Sequence, residues 1–154
     1  MVGAGAAVLV LGIAASPASA TPISNLEGRW TGWGSIVREN GTSEQVKCIA
    51  TYFVGQQGAT LQQNLRCASA SYRIDAVAEL EVKSGVVSGR WEERANAASG
   101  TVSGRMTGEG FNLAIQGAEF SAAMAVAGSA CKQSINIAPR GVDIARISIG
   151  LGKC

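Results

Sequence analysis

Asn40-Gly41 restricts the fold of this chain more than any other feature. The dipeptide accepts positive φ at both central positions of a type I′ turn, whose twist matches that of two flanking antiparallel strands. On either side lie Gly28-Arg-Trp-Thr-Gly-Trp-Gly-Ser-Ile-Val37 and Val46-Lys-Cys-Ile-Ala-Thr-Tyr-Phe-Val54, both rich in β-branched and aromatic residues. A turn centred between Asn40 and Gly41 sets Trp33 opposite Cys48. A second turn in Gly55-Gln-Gln-Gly58 brings back a third strand, and one of its two candidate registers sets Cys48 opposite Cys67. Opposed residues of a non-hydrogen-bonded pair have Cβ atoms about 4.5–5.5 Å apart, so modest twist closes a disulfide there. Leu26 to Cys67 is therefore expected to be a three-stranded meander locked by Cys48–Cys67, which leaves Cys131 to pair with Cys154.

Two disulfides require an oxidising compartment, and the amino terminus agrees. Met1 to Ala15 is apolar and uncharged, and it runs into Ser16-Pro17 and the small-residue triplet Ala18-Ser19-Ala20. This pattern predicts a secretory signal peptide over residues 1–20, cleaved after Ala20, and hence a periplasmic or secreted protein. Roughly 15 apolar residues fall short of the ~20 that span a bilayer. Residues 21–26 then read as a linker and 27–154 as a single domain. A four-thiolate metal site is disfavoured because no Cys-x-x-Cys pair occurs.

Period-two alternation continues past the meander. Ala70, Tyr72, Ile74, Ala76, Ala78, Leu80 and Val82 interleave with a face that is polar except at Val77, which predicts one long strand, half buried. Val87-Ser-Gly-Arg-Trp91 and Val102-Ser-Gly-Arg-Met106 share four residues, a spacing that suits consecutive strands of a meander. Further strands are expected in Phe111–Gly117, Phe120–Val126, Gln133–Ala138 and Val142–Ile149, with a turn in Pro139-Arg-Gly141. The fold class is all-β: a small antiparallel up-and-down barrel of about eight to ten strands, with a β-sandwich as second choice. An outer-membrane barrel conflicts with the charged outer positions and with only three Trp, three Phe and two Tyr for its aromatic girdles.

Gly28-Arg29-Trp30, at the start of the first strand, resembles the Gly-x-Trp opening of the lipocalin and avidin-like (calycin) β-barrels. The resemblance implies that Trp30 closes one end of the barrel and packs against a basic side chain of the last strand, a place Arg146 would fill. The chain departs from lipocalins in lacking a second motif and a carboxy-terminal helix, and no ligand residues of either family can be matched.

The chemistry available is narrow. There is no histidine, which removes Ser-His-Asp and Cys-His catalysis and imidazole metal sites. Thirteen basic against eleven acidic residues give a net charge of +2, no footprint for nucleic acid. Glu92 and Glu93 are adjacent and so point to opposite faces of a strand, whereas Glu79 and Glu81 share a face that reads as solvated surface. Arg29, Arg73, Arg90, Arg94 and Arg105 would form a band for an anionic partner only if their strands align. No catalytic residue, cofactor or metal is expected. The function expected is that of an exported, non-catalytic binding protein, holding a small apolar ligand inside or a protein partner on its surface, for example as an inhibitor. Its alternatives are a structural cell-envelope protein and, third, a carboxylate-only hydrolase.

Overall fold

A computed structural model describes residues 3, 11–14 and 23–154, so the cleavage site after Ala20 lies outside the described residues. Ten strands follow one another: β1 (Gly28–Arg38), β2 (Ser43–Gly55), β3 (Thr60–Ala68), β4 (Arg73–Lys83), β5 (Val86–Glu93), β6 (Ala98–Met106), β7 (Gly110–Gly117), β8 (Ser121–Gly128), β9 (Lys132–Arg140) and β10 (Ile144–Gly152). Each pairs antiparallel with its sequence neighbours, and β1 pairs with β10 to close an up-and-down barrel. Among the described residues closure leaves no edge strand unpaired.

The first hairpin differs from expectation by one residue, and that residue decides a face. Gly32, not Trp33, stands opposite Cys48, and Trp33 pairs with Lys47. The loop holds three residues rather than two: Arg38 and Thr42 close it through Arg38 N–H to Thr42 O at 2.8 Å, Gly41 takes φ +86°, and Asn40 stays outside the positive-φ region. Asn40 accepts the Thr42 N–H on its Oδ1 at 3.0 Å, which favours this longer turn. Because side chains alternate with period two, the shift turns Trp33 to the outer surface and leaves Cys48 inside. The second register is as expected, with Cys48 opposite Cys67.

Both disulfides form, Cys48–Cys67 and Cys131–Cys154. The repeated Val-Ser-Gly-Arg segments lie on neighbouring strands β5 and β6, where Val87 faces Gly104, Gly89 faces Val102 and Ser88 faces Ser103. Each glycine lets the next strand come close: a Cβ at Gly89 would meet the Glu79 carbonyl of β4, and one at Gly104 the Asn112 carbonyl of β7. The strand predicted from Ala70 starts at Arg73, because Ser69 to Tyr72 form a hydrogen-bonded turn. β9 runs through Pro139 to Arg140, which moves the last turn to 141–143.

Of the linker expected over 21–26, residues 23–26 are described and take up a regular turn. Ile23–Leu26 form one turn of 3-10 helix, and Ile23 and Leu26 pack on the core at the end of the barrel where β1 begins. Inward-facing residues differ in size between the two ends. Near this end sit Trp30, Tyr52, Leu61, Phe111, Ile135 and Leu151, all buried. Towards the other end the inward positions of β4, β6, β7 and β8 include Ala76, Ala78, Ala98, Gly100, Gly117 and Ala122. Large residues plug one end, and small ones leave the other hollow.

Candidate functional site

The closed end is built on Trp30. Its indole is fully buried and donates Nε1–H to the Leu26 carbonyl at 2.7 Å, pinning the 3-10 turn across the barrel. The cation over its ring is Lys153, whose Nζ lies 4.8 Å from the ring centroid and donates to the carbonyls of Asn25 and Glu27 at 2.9 Å each. Arg146, the expected partner, lies exposed on the outer face opposite Val37. The correction follows from register: Arg146 pairs with Val37, at the opposite end of β1 from Trp30, whereas Thr31 pairs with Gly152 and so brings Lys153 beside Trp30. A bulge between Val37 and Arg38, where the pairing passes from Arg146 to Ile144, leaves Ala145 and Arg146 both on the outside.

Above Trp30 the interior carries one polar layer. Tyr52 donates its hydroxyl to Gln133 Oε1 at 2.8 Å and accepts from Gln63 Nε2 at 2.9 Å, tying β9, β2 and β3 across the lumen. Both glutamines are buried. Burial pushes the Tyr52 phenol far above its ordinary value, against the smaller opposing effect of its hydrogen bonds to Gln63 and Gln133. A raised folded-state value means that this group's contribution to stability is complete below the unfolded pKa near 10 and is lost as pH climbs towards the folded one. Unfolding free energies from denaturant titrations across pH should therefore fall above pH 10 by about 1.4 kcal/mol per pH unit from this group alone, and Tyr52→Phe should lower that slope by one proton. An unchanged slope in the variant would contradict the assignment.

Beyond Gln63 the barrel opens into a cavity of about 710 Å³. Its wall is mainly apolar and runs along β3 to β10, with Leu65, Ile74, Ala76, Val102, Leu113 and Met124 among its residues. On the β1 and β2 side the lumen is occupied by Ile36, Val46 and the buried Cys48–Cys67 bridge. Trp91 forms one wall. Its Nε1–H donates to Gln116 O at 3.0 Å, its ring meets Phe120 edge-on at 5.7 Å, and it lies against Gly100. A Cβ at Gly100 would stand 1.7 Å from Gln116 O and 2.9 Å from Trp91 Nε1, so only glycine permits this arrangement.

The mouth is framed by three carboxylate residues, Glu93, Glu119 and Asp143, while among the described residues no Lys or Arg lines the cavity. Glu93 holds the β5–β6 turn: its oxygens accept from the backbone N–H groups of Asp75 (2.8 Å), Ala95 (3.1 Å) and Asn96 (2.7 Å) and from the Asn96 side chain (2.8 Å). Asp143 pairs at 3.6 Å with Arg38, which also reaches Glu44 at 3.5 Å and lies 5.9 Å from the centroid of the Tyr72 ring. Burial, together with the charges of Glu93 and Asp143, pushes the Tyr72 phenol up. Hydroxyls of Ser71 and Ser69 hold the Glu44 carboxyl below its ordinary range.

The band of arginines does not form as one surface. Arg90 stands opposite Glu79 and Thr101, Arg105 opposite Val86 and Asn112, Arg73 opposite Ala68, and Arg29 opposite Thr51. Among the described residues no group of three or more His, Cys, Asp or Glu side chains could hold a metal ion. The acidic mouth escaped sequence reasoning because Glu119 sits in a turn and Asp143, expected within a strand from Val142, lies in the turn before β10, which starts at Ile144; only barrel closure brings those turns beside Glu93. The chain matches no protein-family model and no curated protein.

Proposed function

We propose that this protein is an exported, non-catalytic carrier or sensor that takes a small apolar ligand into the open half of its barrel. The observation that supports the reading is the cavity itself: about 710 Å³, open at one end and walled by Trp91, Phe120 and aliphatic side chains. That volume falls in the range of small-molecule sites, roughly 300–1,000 Å³. Barrel diameter grows with strand number, so ten strands enclose more space than the eight of lipocalin and avidin-like barrels, whose general plan this closed antiparallel barrel is compatible with. A lumen filled by side chains would have suited a structural envelope component better.

The carboxylates at the mouth argue for binding over hydrolysis. Glu93 is occupied by four N–H donors and Asp143 by Arg38, so neither is free to form an acid–base pair. Outward positions of β2 to β5 carry Lys47, Arg66, Asp75, Glu79, Glu81, Arg90 and Glu92 around an apolar interior, the reverse of a lipid-embedded barrel. Among the described residues no helix is long and apolar enough to cross a membrane. The two disulfides fit an oxidising compartment outside the cytoplasm, and a periplasmic or secreted location extends that reading. Surface docking of a protein has one observation in its favour, the exposure of Trp33 and Phe53 on the outer faces of β1 and β2.

The test is titration with the neutral fluorophore N-phenyl-1-naphthylamine, read as enhanced emission. Stoichiometric binding is expected. Ala76→Trp, which sends an indole into the void from a half-buried position on its wall, should weaken it by more than about tenfold without lowering the melting temperature. Binding of equal strength to both proteins would place the dye elsewhere and defeat the proposal.

A further inference from the structure

The charge pattern of the mouth, joined to the aromatic wall beneath it, says what kind of apolar molecule fits; this step rests on the cavity being a binding site. Among the described residues every charged one that lines the cavity is acidic, and each belongs to a different turn region. Glu93 ends β5, Glu119 lies between β7 and β8, and Asp143 lies between β9 and β10. The last two turns touch: a Cβ at Gly141 would stand 2.2 Å from the Glu119 carbonyl oxygen. Phe120, next in sequence to Glu119, meets Trp91, and Tyr72 borders the same opening.

Carboxylates around aromatic faces are the surroundings in which an organic cation is held. The ring quadrupoles attract it, and the carboxylates supply a negative potential that the low-dielectric walls of the lumen focus. The protein already places one cation at this rim, since Arg38 sits over Tyr72 between Asp143 and Glu44. Arg38 does not line the cavity, so the inner side of the rim carries acidic residues without a basic one among its described residues. An anionic amphiphile, such as a fatty acid, would meet repulsion at that acidic rim.

We propose that the ligand is a cationic amphiphile: an apolar body lodged between Trp91 and the Gln63 layer, with an amine or quaternary ammonium head at the mouth near Glu119, Asp143 and the Tyr72 and Phe120 rings. Glu119 sets the charge preference together with Asp143, whose charge Arg38 already shares at 3.6 Å, whereas Glu93 keeps the β5–β6 turn in place.

The experiment uses three probes of one chain length below their micellar concentrations: decyltrimethylammonium, 1-decanol and decyl sulfate. Each displaces N-phenyl-1-naphthylamine from the disulfide-intact protein, and calorimetry gives direct binding. The ammonium should bind about tenfold or more tighter than decanol, with decyl sulfate weakest, and the gap should shrink in 0.5 M salt. The double variant Glu119→Gln/Asp143→Asn should bring the ammonium to within about threefold of decanol while leaving decanol's affinity unchanged. Equal affinity for all three probes, or preference for the sulfate, would overturn the charge assignment and leave the cavity reading standing. Failure of every probe and of the fluorophore to bind would overturn both.

Discussion

Trp30→Ala is expected to destabilise the protein by about 3–5 kcal/mol. The side chain is fully buried, so truncation removes its apolar contacts and leaves a void that the closed lattice of strands cannot collapse to fill. It also deletes the donor to Leu26 O and the ring beneath Lys153, which frees the 3-10 turn and the end of β10 together. For a domain of this size the melting temperature should fall by roughly 10–20 °C. Two companion substitutions locate the basic partner. Lys153→Met should cost about 1 kcal/mol, because the ammonium interacts with the ring and two carbonyls at a partly exposed site, and Arg146→Met should cost nothing measurable. A melting temperature unmoved by Trp30→Ala would remove the closed end as described. Equal losses from Lys153→Met and Arg146→Met would undo the choice of partner.

The second large effect is a difference in rate. Cys131 and Cys154 are exposed at the end of the barrel, whereas Cys48 and Cys67 are 0% and 2% exposed inside it. Thiol–disulfide exchange needs a thiolate to reach a sulfur, so dithiothreitol should reduce Cys131–Cys154 in the folded protein and reach Cys48–Cys67 only when the barrel opens. If that opening is global unfolding, with a free energy of about 5 kcal/mol or more, the inner bridge should react at least roughly a thousandfold more slowly. Iodoacetamide labelling followed by peptide mass spectrometry reads the outcome: two modified cysteines under native conditions and four in denaturant. Equal labelling of all four in the native protein would contradict an interior bridge. Loss of the outer bridge alone should still lower stability by about 3 kcal/mol in the loop-entropy account, since it closes 23 residues. It should also loosen Lys153, whose N–H donates to Cys131 O at 3.0 Å.

These results bear on how the molecule divides its work. A closed end made of Trp30, Tyr52, Phe111 and their neighbours carries the packing, and this allows the opposite half to remain hollow at the expense of some burial. The polar layer of Gln63, Tyr52 and Gln133 belongs to the closed end, and of the three Gln63 lines the cavity, giving its floor one hydrogen-bonding side chain. Among the described residues the buried Gln133 Nε2 has no hydrogen-bond partner, a cost tolerated where the layer spans the lumen.

Period-two alternation determined the strands from the residues alone, because a side chain's face follows from its position in an extended chain whatever lies around it. The same local logic paired Cys48 with Cys67, and the repeat at Val87 and Val102 announced neighbouring strands. Where a turn's length was in question, the sequence left two answers: Asn40-Gly41 suits both a two-residue and a three-residue loop, and the Thr42 contacts of Asn40 settle it for the longer one. That single residue put Gly32 rather than Trp33 opposite Cys48 and left Trp33 on the surface. Closure of β1 on β10 decided the rest. It fixed the strand number at ten, set Lys153 rather than Arg146 over Trp30, and gathered Glu93, Glu119 and Asp143 around one opening. Contacts between residues far apart in the chain depend on bulges and on the circumference of the finished barrel, and neither is written in any short stretch of sequence.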